Sequence, residues 1–151
     1  MRLAWVLGLA GLLPFLFGLF LTLNGEQART LVPGLSPDGP RLMLSYGAVI
    51  LSFMGAIHWG AALEREPEAG WPYALSVVPA LYGWLIWGLS LMSPGDIALL
   101  MIGLALGFAA LLVVDLIRGR AGDFPKWYPP LRVVLTLGAA GSLVAAGLYS
   151  M

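Results

Sequence analysis

The chain has 151 residues, 60% hydrophobic and 11% charged, with eight basic and eight acidic side chains and no net charge. That balance gives no electrostatic footing for nucleic acid. Having no cysteine excludes disulfides, thiolate metal sites and iron–sulfur clusters, and a single histidine excludes a multi-histidine metal site within one chain. Soluble domains carry about 25% charged residues, so this chain cannot cover itself with polar surface, and lipid is the solvent that suits it.

A membrane helix needs about 20 mostly apolar residues. Five stretches qualify, predicting an all-α, five-span bundle in a single membrane domain over 1–151. The first is Leu3–Asn24. Arg2 gives it a signal-peptide-like start, but the apolar run is too long for an h-region and no A-x-A site follows, so it reads as a retained helix. Pro14 lies inside it and should free the Ala10 carbonyl. The connection NGEQARTLVPGLSPDGPR holds three prolines and cannot be one long helix. The second span, Leu42–Leu63, leads through the charged link EREPEAGWP to the third, Pro72–Met92. Pro79 should kink that helix and make room beside His58. SPGD turns the chain into the fourth span, Ile97–Ile117, with Ser93 as N-cap, Pro94 at the first helical position and Asp96 closing a capping box. RGRAGDFPKWYPP then leads to the fifth, Leu131–Ser150, through prolines that start but do not continue a helix. Short links make successive helices antiparallel neighbours. No internal repeat supports an inverted-repeat transporter.

Orientation follows from Lys and Arg. Arg2, Arg65, Arg118, Arg120, Lys126 and Arg132 fall on the amino-terminal side, and Arg29 and Arg41 on the other. This predicts a cytoplasmic amino terminus and an outer carboxyl terminus. His58 then lies in the cytoplasmic half of its helix, roughly 7–8 Å from the Leu63 end. Asp115, Arg132, Trp59, Trp71, Tyr73, Lys126, Trp127 and Tyr128 belong to the same side. His58, Asp115 and Arg132 form the candidate polar cluster. The aromatic residues and Lys126 form a rim for headgroups or for a partner, since Trp and Tyr favour the interface and basic residues favour anionic lipid.

Helices in lipid associate through close backbone approach at small residues. The second span offers Ala48, Ser52, Ala56 and Gly60 in one row, the fourth Gly103 and Gly107, the fifth Gly138, Ser142 and Ala146. His58 lies about 200° round the helix from Ala56, on the face of Gly47, Leu51 and Met54.

The polar residues carry two readings each. His58 is a proton-handling group, with an ordinary pKa of about 6.5, or a structural histidine bonded to a backbone carbonyl or to Asp115. Asp115 either pairs locally with Arg118, three residues on, or joins His58 or Arg132 across helices. A carboxylate within the membrane is a functional candidate by default. Glu64 and Glu66 read as solvated loop charges. No P-loop, dinucleotide fingerprint, HExxH or catalytic triad is present, and no catalytic residue, metal or cofactor is assigned.

GLLPF at 11–15, YGAVILSFMGAIHWG at 46–60 and PKWYPPLRVVLT at 125–136 resemble a bacterial membrane-protein family of unknown function related to animal transmembrane protein 69. The resemblance covers all five spans. It implies a small integral protein of a bacterial inner membrane, with relatives in mitochondria, and brings no activity or catalytic residue. Seven Arg against one Lys, with abundant Gly and Ala, likewise suits a G+C-rich bacterial gene. The leading expectation is a non-enzymatic accessory, assembly or binding protein. Its partners would be membrane lipid, another integral membrane protein or a second copy of the chain. The alternatives are a small proton-coupled transporter or channel using His58 and Asp115, and a haem- or chlorin-binding protein with His58 as axial ligand.

Overall fold

The structure, a computed structural model, describes residues 2–31, 38–65, 68 and 70–151. Residues 32–37 of the proline-bearing connection, and Glu66, lie outside them. The described residues are helical, without a strand: α1 (Arg2–Ala10), α2 (Leu13–Leu23), α3 (Gly25–Leu31), α4 (Gly39–Arg65), α5 (Gly70–Met92), α6 (Ile97–Ala121) and α7 (Tyr128–Tyr149). Five stretches are long and apolar enough to cross a membrane: Arg2–Leu23, Gly39–Arg65, Gly70–Met92, Ile97–Ala121 and Tyr128–Tyr149. At 1.5 Å per residue even the shortest matches a hydrocarbon core of about 30 Å.

The first span is two helices. Pro14 lacks an N–H and its ring crowds the preceding turn, so the helix ends at Ala10 and restarts at Leu13, with Pro14 in the first turn of α2. The carbonyl that finds an outside donor is that of Gly11, not Ala10. The Tyr46 hydroxyl donates to it at 2.9 Å from α4. A freed carbonyl is tolerated in lipid when another helix supplies such a donor.

Pro79 sits within an α5 that continues through it. It does not open space beside His58. Pro79 lies against Gly55, where an added Cβ would stand 2.9 Å from its Cγ and 2.7 Å from the Ser76 carbonyl. The open space lies further along, as an apolar groove of about 360 Å³ bounded by Leu51, Pro79, Tyr82, Gly107 and Leu111.

The small-residue rows are used selectively. Ala48 meets Gly83, but Ala56 and Gly60 are exposed, and a Cβ at Gly60 would touch nothing. The packing face of α4 is the neighbouring one, with Gly47, Leu51, Met54, Gly55, His58 and Ala62 all buried. Rotating the ionisable imidazole out of lipid decides which face turns inward. Gly103 and Gly107 seat an aromatic ring rather than a helix backbone. A Cβ at Gly107 would stand 2.6 Å from the Tyr82 ring, whose hydroxyl donates to the Gly103 carbonyl at 2.7 Å. Gly138 is packed by Leu12, Ser142 is buried and donates to the Gly138 carbonyl at 2.8 Å, and Ala146 is fully buried.

Between Met92 and α6, Pro94–Asp96 form a 3-10 turn. Ser93 precedes it without a side-chain capping bond, so the expected capping box does not form; the Asp96 N–H is instead taken by the Ser93 carbonyl at 3.1 Å. α4 has the side-chain cap, with the Asp38 carboxylate accepting from the Arg41 N–H at 3.0 Å. The core packs Phe15, Met43, Leu44, Leu51, Met101, Leu104, Phe108 and Leu143 through the middle of the bundle.

Candidate functional site: a buried ionic cluster at one end of the bundle

Antiparallel threading brings the C-terminal ends of α4 and α6 to the N-terminal ends of α5 and α7. α1 joins them, since Gly8 lies against Leu131 and Leu135 of α7. His58, Asp115 and Arg132 come together there from α4, α6 and α7. His58 and Asp115 are 0% exposed and Arg132 is 2% exposed. The two carboxylate oxygens of Asp115 are engaged across helices: Oδ1 lies 3.0 Å from His58 Nε2, and Oδ2 accepts from Arg132 Nε. The Nε2···Oδ1 approach is within ion-pair reach but off the line of a good hydrogen bond.

The other ring nitrogen, Nδ1, faces Arg118 Nη1 at 3.5 Å. Arginine only donates and a carboxylate only accepts. The Arg118 guanidinium thus offers Nδ1 a donor, and Asp115 offers Nε2 an acceptor. Arg118 also donates from Nε to Asp123 at 2.6 Å, and its guanidinium lies over Trp71 at 5.0 Å and Phe124 at 5.9 Å. Among the described residues, two carboxylates thus meet two guanidinium groups around the histidine. Burial of ions is tolerable only when they are paired and bonded in this way.

The segment after α6 closes the cluster. Gly122 adopts φ 90°, a left-handed conformation that side chains disfavour. Its N–H, and that of Asp123, return to the Arg118 carbonyl. This helix-ending turn folds Asp123 and Phe124 back over the site. Phe124 meets the His58 ring edge-on at 5.6 Å and Tyr128 at 4.7 Å. Arg65 ties α4 to the same turn, donating to the Gly122 carbonyl at 2.6 Å.

Sequence reading did not single out Asp123, Phe124 and Gly122 as site residues, and it placed Arg118 only as a local partner. A glycine following a basic last helical turn was the available signal. Of the rim residues, Trp59 and Tyr73 pack edge to face at 4.9 Å, Trp71 lies under Arg118, Lys126 is exposed, and Trp127 contacts Tyr128 at 6.3 Å. Trp59 and Trp71 keep about half their surface open, while Tyr128 is buried. Tyr128 Oη, Arg132 Nη2 and Thr136 Oγ1 are buried atoms without a hydrogen-bond partner among the described residues.

The family model for proteins of unknown function designated DUF3429 matches residues 1–148. This chain belongs to that family. The DUF3429 chain is 33% identical over 147 residues to transmembrane protein 69 of Xenopus tropicalis, and 31% identical over 139 residues to that of Mus musculus. These alignments cover 95% and 90% of the chain but 53% and 51% of the relatives, so it spans about half their length. No solved structure matches it. Five apolar spans and relatives named transmembrane proteins make it a multi-pass membrane protein.

Proposed function

We propose that this DUF3429 protein is a non-enzymatic accessory or assembly factor of the bacterial inner membrane, oriented with the ionic cluster toward the cytoplasm. In this reading it docks an integral membrane partner or lipid headgroups through the rim at that end. One observation carries the reading: the ionisable groups are turned inward onto one another, while Trp59, Trp71 and Lys126 stay exposed beside them. The six-to-two bias of basic residues supports the orientation.

The transporter reading has less support. Apolar side chains fill the bundle beyond the cluster, and the polar pairs at the far end, Arg29–Glu26 and Arg41–Asp38, are local. The cofactor reading needs a free imidazole lone pair, and both ring nitrogens of His58 face other side chains.

Photo-crosslinking in native membranes tests the docking. A benzophenone amino acid at Trp59 or Trp127 should give a discrete adduct, and one at the lipid-facing Trp84, in the other half of α5, should not. Adducts equal at all three sites, together with bare protein from gentle-detergent purification, would count against a docking rim.

A further inference from the structure

The apolar groove beside Pro79, about 360 Å³ in volume, runs between α5 and α6 with buried Leu51 of α4 at its back. Its α5 wall extends from Leu75 to Tyr82, and its α6 wall from Val114 to Leu106. At 1.5 Å per residue these walls are about 10–12 Å long. The groove therefore follows the helix axes from the middle of the span toward the end that holds the ionic cluster. At its far end the Tyr82 ring lies against Gly107. The Tyr82 hydroxyl is committed to the Gly103 carbonyl, and the other lining residues are apolar.

Dimensions select the occupant. A volume of about 360 Å³ over that length leaves a channel about 6 Å across. A helix with its side chains is about 10–12 Å across, so neither a partner's helix nor one from a second copy of this chain can enter. A hydrocarbon chain is about 4 Å thick, the contact distance between carbon atoms, and fits lengthwise. Half of a hydrocarbon core of about 30 Å is about 15 Å deep, so the groove spans most of one leaflet.

The cluster end of the groove is where such a chain would carry its headgroup. Trp71 stands one turn before Leu75 on the same face of α5 and is 55% exposed. Arg120 is exposed in the last turn of α6. Fourteen residues, close to four turns, separate it from Leu106, so both stand on nearly one line along α6. The Arg118 guanidinium over Trp71 at 5.0 Å closes the gap between the two helices. Asp115 and Asp123, the acids nearest Arg120 in sequence, are turned inward onto the cluster, so neither neutralises it. An indole N–H and a guanidinium only donate, and arginine meets phosphate with two bonds at once. A phosphodiester is the group that completes the site.

We propose that this groove holds one chain of a phospholipid from the leaflet at the cluster end, with its phosphodiester on Arg120 and Trp71. This lipid site rests on the lipid side of the rim reading, and the two fail separately. A rim without protein adducts leaves the lipid in place, and a chain that holds no lipid leaves protein docking at Trp59 and Trp127 in place.

Native mass spectrometry of the full chain in mild detergent tests it, with phosphatidylglycerol and a diacylglycerol of the same chains as probes. Wild type should retain one phosphatidylglycerol per chain and hold it about tenfold or more tightly than the diacylglycerol. Arg120→Gln should reduce that preference about tenfold. Ala110→Phe and Val78→Phe, on the two walls, should weaken retention of both lipids. Val113→Phe, exposed on α6 outside the groove, should leave both unchanged. Melting curves without added lipid identify any variant that fails to fold, and the remaining ones then decide. Equal retention of the two lipids by wild type, an unchanged preference in Arg120→Gln, or wild-type retention in the folded groove variants would overturn the proposal.

Discussion

His58 is held from both sides, with Arg118 facing Nδ1 and Asp115 facing Nε2. Asp115 matters more to stability. Its removal leaves Arg132 as a buried, uncompensated cation, which costs about 3–5 kcal/mol. Asp115→Ala should therefore lower the unfolding free energy in mild detergent by that amount. Tyr46→Phe removes one neutral bond to the Gly11 carbonyl and should cost about 0.5–1.5 kcal/mol.

Helix α4 shows how the elements are oriented. Two of its glycines, five residues apart, behave oppositely: Gly55 touches the α5 backbone, while Gly60 faces open space. Gly55→Val should cost about 1–3 kcal/mol by overpacking, and Gly60→Ala should change stability by no more than about 0.5 kcal/mol in the unfavourable direction. Equal effects would mean that the helix is rotated from the face described. The five spans were legible because length and hydropathy suffice to find a membrane helix. The face shared by His58, Gly47, Leu51 and Met54 was legible from the 3.6-residue period. The choice between that face and the row from Ala48 to Gly60 was not, since small residues tolerate close approach without compelling it. The closing turn was harder still. Phe124 reaches His58 only because Gly122 reverses the chain, and an aromatic residue in a loop reads equally well as interface. Whether Asp115 joined Arg118 locally or crossed to other helices was undecidable from spacing alone, because both partners lie within side-chain reach.

Across the whole molecule, charge is divided by depth. The ionic cluster, the aromatic rim and most basic residues occupy one end, and an apolar core separates them from the other. The proposed orientation is directly checkable because the chain has no cysteine. A single cysteine at Lys126 should react with an impermeant maleimide only after inner-membrane vesicles are inverted, and one at Ser93 only from the periplasmic face of intact spheroplasts. The reverse pattern would place the rim outside and remove the cytoplasmic docking reading while leaving the bundle intact. The cluster itself does not depend on orientation. It joins α4, α6 and α7 by charge rather than by small-residue packing, and its members contribute as a unit. The measurement that bears on it most directly is a double-mutant cycle on Asp115→Leu and Arg132→Met, read by reversible unfolding in mild detergent. Each single change should destabilise by about 3–5 kcal/mol, and the double change should recover most of that loss. Strictly additive losses would contradict a coupled ion pair at the centre of this end of the bundle.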